Sequence, residues 1–330
     1  GDELLHLESY GALIFIAIWS LWLARRHLRF VWRLVRTGDG RPEEVSQYRV
    51  LFFGLLLSGA CLVGWVIGLG ASLATAVGIF ALMVLGYLTT VKMIAATGLA
   101  YLYVPIAHMK GASFITDLLG TTRLSGQSMV AMRVFTSRIF FGNIRIPAWP
   151  ALPHFLRLFP QVRQLRWVTM AVLLAFPTGF LVAGWDTISF SYAVGGQQVM
   201  AVSEIERLYD DVARLVYNPS ELDPGKWAVW LFGFGEAAII SLLRIRYHWF
   251  PLHPVGVAFQ RERATWLYWS SLAVVFVVKW CLLKYGGQKA YRGGKLFFYG
   301  VGLGYVTGVL LSMFVDFTWF PGQRLHTVHN

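Results

Sequence analysis

Residues 50–69 read VLFFGLLLSGACLVGWVIGL, and residues 71–96 read ASLATAVGIFALMVLGYLTTVKMIAA. As a helix, each run is long enough to cross the roughly 30 Å hydrocarbon core of a bilayer. Neither run alternates apolar and polar residues, which excludes the strands of a transmembrane barrel. Gly70, the only residue between the runs, marks a tight turn. The two runs therefore predict a hairpin of transmembrane helices.

The composition of the whole chain fits this class of protein. Of its 330 residues, 56% are hydrophobic and 14% are charged, and the mean hydropathy is +0.56. These values lie outside the range of soluble domains, and the apolar content excludes an intrinsically disordered chain. The two cysteines, Cys61 and Cys281, lie inside apolar runs. A disulfide-stapled secreted fold is therefore excluded, and both thiols are expected to act as small hydrophobes.

The apolar runs predict an all-α, polytopic membrane protein with about seven transmembrane helices in a single domain, residues 1–330. The runs cover residues 10–23, 50–69, 71–96, 167–183, 227–243, 266–283 and 296–314. Pro177 lies inside the fourth run and predicts a kink. Residues 251–259, PLHPVGVAF, predict an interrupted or re-entrant element, because two prolines prevent a regular helix there.

Charge asymmetry between the connections predicts the orientation. The connection 110–166 carries seven arginines against a single acid, and the segment 184–226 carries seven acids against three basic residues. By the positive-inside rule, 110–166 is a cytoplasmic amphipathic connection and 184–226 is extracytoplasmic. The N-terminus is then outside and the C-terminus cytoplasmic. The basic loop 284–295 falls outside in this scheme, so either residues 251–259 re-enter the membrane or this loop is an exception.

Residues 24–36, ARRHLRFVWRLVR, place apolar and basic side chains at helical spacing. This pattern predicts a basic helix on the anionic lipids of the bilayer, or a solvated linker helix with snorkelling arginines. The net charge of +12 is explained by such cytoplasmic flanks, so it does not imply nucleic-acid binding. An amphipathic helix is also predicted near residues 203–216.

Charged side chains inside the apolar runs are the strongest candidates for function, because a charge at mid-bilayer costs about 2.5–3.5 kcal/mol. Glu236 lies in GFGEAA, where Gly233 and Gly235 favour a close-packed interior; Lys92 and Lys279 are the other candidates. One hypothesis makes Glu236, assisted by Lys279, a substrate-binding or proton-coupling pair. The alternative is an ion pair of Glu236 with Lys92, Lys279 or Arg244 that only fixes helix packing.

Two further features have a functional and a structural interpretation. His253 lies in the irregular segment, where backbone at membrane depth lines a cavity or is buried in protein. Gly300, Gly304 and Gly308 form a small-residue stripe in the last run, which favours helix packing over a close approach to substrate. The sequence has no Walker loop, HExxH, GxSxG, CxxCH or CxxC motif, so we expect no enzyme activity, cofactor or metal site.

Four stretches carry a resemblance to a known family: WSLWLARRHLRFVWR (19–33), WFPLHPVGVAF (249–259), KWCLLKYGGQKAYR (279–292) and FFYGVGLGYVTGVLL (297–311). Together they resemble the C-terminal half of an uncharacterised family of bacterial polytopic membrane proteins. The first residue is Gly rather than Met, so we expect a chain that is processed, truncated or only partly represented. The last stretch is distantly similar to the closing helix of oligopeptide transporters, although Gly304 and Tyr305 stand where those carriers have an acid.

The resemblance implies a secondary transporter, or half of one, in the bacterial inner membrane, for a small solute such as a peptide or a metal chelate. Carriers of this kind bind substrate near the midplane between broken helices. The alternative is a non-catalytic scaffold or anchor subunit of a larger membrane complex. Expected partners are anionic lipids, and either other membrane proteins or a second copy of the chain.

Overall fold

The computed structural model describes residues 2–97, 110–137, 165–195, 200–260 and 263–319. All regular elements within these residues are helices, and the order along the chain is α1 (Asp2–Thr37), α2 (Pro42–Gly68), α3 (Leu73–Thr97), α4 (Lys110–Leu119), α5 (Gly126–Phe135), α6 (Leu165–Val194), α7 (Met200–Tyr217), α8 (Pro224–Arg246), α9 (Val255–Phe259) and α10 (Arg263–Trp319). The predicted all-α class is therefore confirmed for this part of the chain.

Five of the described helices, α1, α2, α3, α8 and α10, are long and apolar enough to cross a membrane. They indicate a multi-pass membrane protein in a lipid environment. The run 167–183 lies in α6, which contains Pro177 and continues as helix to Val194. Length and composition identify five described helices that could cross a membrane, but they do not show where a bilayer lies. The predicted count of seven spans therefore stays a prediction.

The predicted hairpin of residues 50–69 and 71–96 forms as expected. Helix α2 ends at Gly68, and α3 begins at Leu73. Between them Gly70 adopts φ +98°, a left-handed value that residues with a Cβ avoid. The predicted amphipathic helix near residues 203–216 is also present, as α7.

Contacts divide the chain into two compact units, Gly1–Trp266 and Leu267–Asn330, where the sequence predicts one domain. In the first unit α1 is central and packs against α2, α3, α8 and α9. Its buried side chains include Leu7, Tyr10, Leu13 and Ile16, which recur at helical spacing along α1. The short helix α9 adds Val257, Ala258 and Phe259 to this core.

Residues 284–295 of the second unit are helical, whereas the sequence predicts a loop there. Helix α10 continues through this stretch and is broken only at Gly287, where φ is +62° and ψ is −167°. This conformation is essentially restricted to glycine. A Cβ built at Gly294 would lie 3.6 Å from Leu282 Cδ1, although residues twelve apart in a straight helix are about 18 Å apart. The helix therefore bends sharply at Gly287, and the basic stretch forms helix rather than a loop.

The described parts of the predicted cytoplasmic connection and of the predicted extracytoplasmic segment contact each other directly. Arg133 of α5 forms an ion pair with Asp211 of α7 at 2.9 Å. The backbone N–H of Thr121 donates to the Ser220 carbonyl at 2.8 Å, and the Ser220 N–H donates to Thr121 Oγ1 at 2.8 Å. These contacts favour one side of the membrane for both described parts, and the predicted placement of the two segments on opposite sides stays a prediction. Residues 138–164 of the connection lie outside the described residues.

Candidate functional site

Two features of the first unit bring polar and charged side chains together. One is a carboxyl pair, Glu8 of α1 and Glu236 of α8. The other is an open cleft of about 570 Å³, here called the polar cleft. Its lining comes from α1, α4, α5, α7, the connection between α7 and α8, and the start of α8, namely His6, Tyr10, Ser113, Thr116, Asp117, Arg133, Asp211, Arg214, Leu215, Asn218, Ser220 and Lys226.

The carboxyl pair lies where the backbones of α1 and α8 approach each other closely. A Cβ built at Gly233 would overlap the backbone carbonyl of Glu8, and a Cβ at Gly11 would overlap the carbonyl of Trp230. Only glycine lets two helix backbones approach this closely. The prediction that Gly233 marks a close-packed interface is therefore confirmed, whereas nothing lies within 4 Å of a Cβ built at Gly235.

This crossing brings the carboxyl groups of Glu8 and Glu236 near enough to interact with each other. Both side chains are half-buried, and both helices are long and apolar enough to cross a membrane. An ionised carboxylate only accepts hydrogen bonds, so a bond between two carboxyl groups requires a proton on one of them. The arrangement can therefore hold a single proton between two helices.

The deepest charged group of the polar cleft is Arg133, whose side chain is only 5% exposed. Its Nη1 donates to Asp211 at 2.9 Å and to Ser113 Oγ at 2.9 Å. Burial lowers the pKa of this guanidinium, and the negative charges of Asp211 and Asp117 oppose the shift. A buried charge needs such partners to offset its desolvation.

The remaining charges of the cleft lie closer to its mouth. Arg214 donates to the other oxygen of Asp211 at 2.9 Å, and its side chain is 71% exposed. Lys226 Nζ lies 3.6 Å from Asp117 Oδ1. Asp211 thus contacts two guanidinium groups, and Lys226 and Asp117 form a long ion pair beside them. The cleft can hold a polar solute against fixed charges.

The other three predicted site residues, Lys92, Lys279 and His253, do not line the polar cleft. Lys92 donates to Ser20 Oγ at 2.6 Å and so joins α3 to α1. Lys279 lies in the second unit, with Nζ 5.6 Å from the centroid of the Tyr291 ring. His253 is exposed, and its Nδ1 accepts a hydrogen bond from the N–H of Val255 at the start of α9. Their proposed functional roles stay predictions.

The predicted stripe of Gly300, Gly304 and Gly308 lies on α10. Within the described residues nothing comes within 4 Å of a Cβ built at any of the three. The prediction that this stripe packs against another helix therefore stays a prediction.

Sequence reasoning missed Glu8, Arg133 and Asp211. The first apolar run, residues 10–23, is short for a span unless residues 4–7 extend it, and the structure shows this extension, because α1 begins at Asp2 and its candidate span begins at Leu4. Glu8 is then an acid inside a candidate span, and this signal could have been found from the sequence. Arg133 could have been noticed as the only charge of the short apolar stretch 126–135.

One family matches residues 3–326, a family of unknown function, DUF6785. The chain belongs to this family. Membership covers nearly the whole chain and assigns no activity to it. No curated protein and no solved structure is significantly similar to the chain.

Proposed function

We propose that the chain is a proton-coupled secondary transporter of a small solute, and that Glu8 and Glu236 carry the coupling proton. One observation carries this proposal: the close crossing of α1 and α8 at Gly233 brings the two carboxyl groups near enough to interact. Acids within membrane helices are rare and commonly belong to proton relays or substrate pathways. A pair that shares a proton can release it when a neighbouring helix moves, which is the step that coupling requires.

Further support comes from the surroundings of the pair. The irregular backbone of residues 250–254 follows α8 and leads into α9, which packs on α1. Transporters commonly place interrupted helices beside their binding sites. The proposal extends to a location in the bacterial inner membrane and to a peptide or metal-chelate substrate, as the resemblance to oligopeptide carriers implies. In this scheme Lys279, Lys92 and His253 assist binding or coupling.

The first test measures proton movement in proteoliposomes that contain the purified chain and a trapped pH-sensitive dye. Trialanine, a copper–histidine chelate and sodium gluconate are added outside in turn, under an imposed inward proton gradient. We expect at least one solute to accelerate acidification of the interior. Glu236→Gln and Glu8→Gln should each reduce this response to background, because neither variant retains the shared proton site. Glu221→Gln, at an exposed acid outside the pair, is the matched control and should retain it.

The second test needs no substrate. Dicyclohexylcarbodiimide modifies protonated carboxyl groups that are shielded from water, and mass spectrometry locates the adduct. We expect labelling of Glu8 or Glu236, with loss of labelling as the pH rises and in Glu236→Gln. Full proton coupling in Glu236→Gln would remove this residue from the mechanism. Absence of labelling, together with a stoichiometric protein partner on purification, would instead support the scaffold alternative.

A further inference from the structure

The polar cleft combines a buried charge with polar groups of several types. Its charged groups are Arg133 at the floor, Asp211 beside it, Arg214 at the mouth, and Asp117 and Lys226 on another wall. The volume of about 570 Å³ is typical of sites for small molecules. The size of the cleft therefore suits a small solute.

The fixed charge of the cleft favours an anion. Among the described residues that line it, three carry a full positive charge and two carry a carboxylate. Asp211 is shared by Arg133 and Arg214, so one carboxylate faces two guanidinium groups. The N-terminal end of α8, which begins at Pro224 beside Lys226, adds a further positive potential.

Two of the cations, Arg214 and Lys226, line the cleft where a ligand carboxylate can approach them. Arg214 uses one nitrogen for Asp211, and a guanidinium has five N–H donors in a planar fork that suits a carboxylate. Lys226 also lines the cleft, with Nζ 3.6 Å from Asp117 Oδ1, and its ammonium group adds a second positive charge for a ligand carboxylate.

Hydroxyl and amide groups complete the cleft. Ser113, Thr116 and Ser220 line it together with Asn218. Each of these side chains can both donate and accept hydrogen bonds. They therefore suit a solute that carries hydroxyl groups in addition to its charge.

We infer that the polar cleft binds a small hydroxy-carboxylate anion, with the ligand carboxylate at Arg214 and Lys226 and its hydroxyl groups at the Ser, Thr and Asn side chains. The binding itself does not depend on the proposed transport function. Only the further statement that this anion is the transported solute rests on that proposal. His6 and Tyr10 face the cleft from α1, and Glu8 lies between them in sequence on the same helix. Ligand binding and proton binding therefore involve the same turns of α1.

The test is direct binding to the purified full chain in lipid nanodiscs, measured by isothermal titration calorimetry. Gluconate, glucose and glucosamine have similar size and hydroxyl content and differ mainly in charge. Lactate serves as a smaller hydroxy-carboxylate. We expect saturable binding of gluconate or lactate, and binding at least about tenfold weaker for glucose and glucosamine, because they lack the charge-assisted hydrogen bonds.

Substitutions in the cleft test whether the anion binds at Arg214 and Lys226. Arg214→Gln and Lys226→Gln should each weaken binding of the anion about tenfold. Arg123→Gln, at an exposed arginine outside the cleft lining, should leave it unchanged. Equal binding of gluconate and glucose, preference for glucosamine, or no saturable binding of either acid would each overturn the inference. Because binding needs no proton gradient, anion binding by the unaltered chain without any anion-driven proton movement in proteoliposomes would refute the transport proposal alone.

Discussion

Gly233 of α8 lies against the backbone of Glu8 in α1, so that a Cβ built at Gly233 would be 2.6 Å from the Glu8 carbonyl carbon. The reciprocal contact places Gly11 of α1 against the backbone of Trp230. Glu236 follows Gly233 by nearly one helical turn and so lies on the same side of α8. The glycine crossing is therefore the physical reason why Glu8 and Glu236 meet.

Substitution of Gly233 by alanine should separate α1 from α8. The added methyl group has no space, and overpacking of this kind costs about 1–3 kcal/mol. We expect a lower free energy of unfolding and loss of carbodiimide labelling at Glu8 and Glu236. Chemical unfolding in detergent and mass spectrometry measure the two effects.

Gly235→Ala is the matched control for this prediction, because a Cβ at Gly235 meets nothing within 4 Å. In a helix interior, alanine is more favourable than glycine by about 0.5–1 kcal/mol. The control should therefore be neutral or slightly stabilising. Equal behaviour of the two alanine variants would show that the close crossing does not hold the pair together.

Removal of the Arg133 side chain should destabilise the first unit strongly. Arg133→Met leaves Asp211 without its buried partner, and breaking a buried pair typically costs about 3–5 kcal/mol. Arg214→Met removes the exposed partner of the same carboxylate and should cost at most about 1 kcal/mol. Chemical unfolding of both variants measures the difference, and similar losses would contradict the buried position of Arg133.

The contact between α5 and α7 predicts that residues 110–137 and 200–226 lie on one side of the membrane. Cys61 and Cys281 are the only cysteines, so a Cys61→Ser, Cys281→Ser background allows single-cysteine labelling. Arg123→Cys and Glu206→Cys, both at exposed positions, should react with a membrane-impermeant maleimide from the same side of sealed vesicles. Labelling from opposite sides would restore the orientation expected from charge alone.

The bend at Gly287 should depend on the glycine itself. Gly287→Ala disfavours the observed conformation by about 1–3 kcal/mol, whereas continuous helix suits alanine. Spin labels at Lys279 and Lys295 should move apart toward the roughly 24 Å of a straight helix of this length. Gly302→Ala, inside regular helix with an open Cβ position, should leave the distance unchanged. A short distance in both variants would mean that packing, rather than Gly287, sets the bend.

The sequence was sufficient for features that depend on neighbours within one or two turns. Apolar runs of about 20 residues predicted α2 and α3, because a helix satisfies its own backbone hydrogen bonds and needs only an apolar surface to enter lipid. The turn at Gly70 and the amphipathic helix α7 follow from equally local patterns. The orientation expected from charge asymmetry stays a prediction, since the positive-inside rule treats each connection separately and takes no account of contacts between connections.

Tertiary structure alone decided which charged residues meet. Glu8 and Glu236 are more than 200 residues apart, and Arg133 and Asp211 belong to segments with opposite charge patterns. Their pairing depends on which faces of α1, α5, α7 and α8 are buried together, and many alternative faces satisfy the same local pattern. Only the packed structure selects one combination of faces, in which Gly233 lies against the backbone of Glu8 and Arg133 is buried.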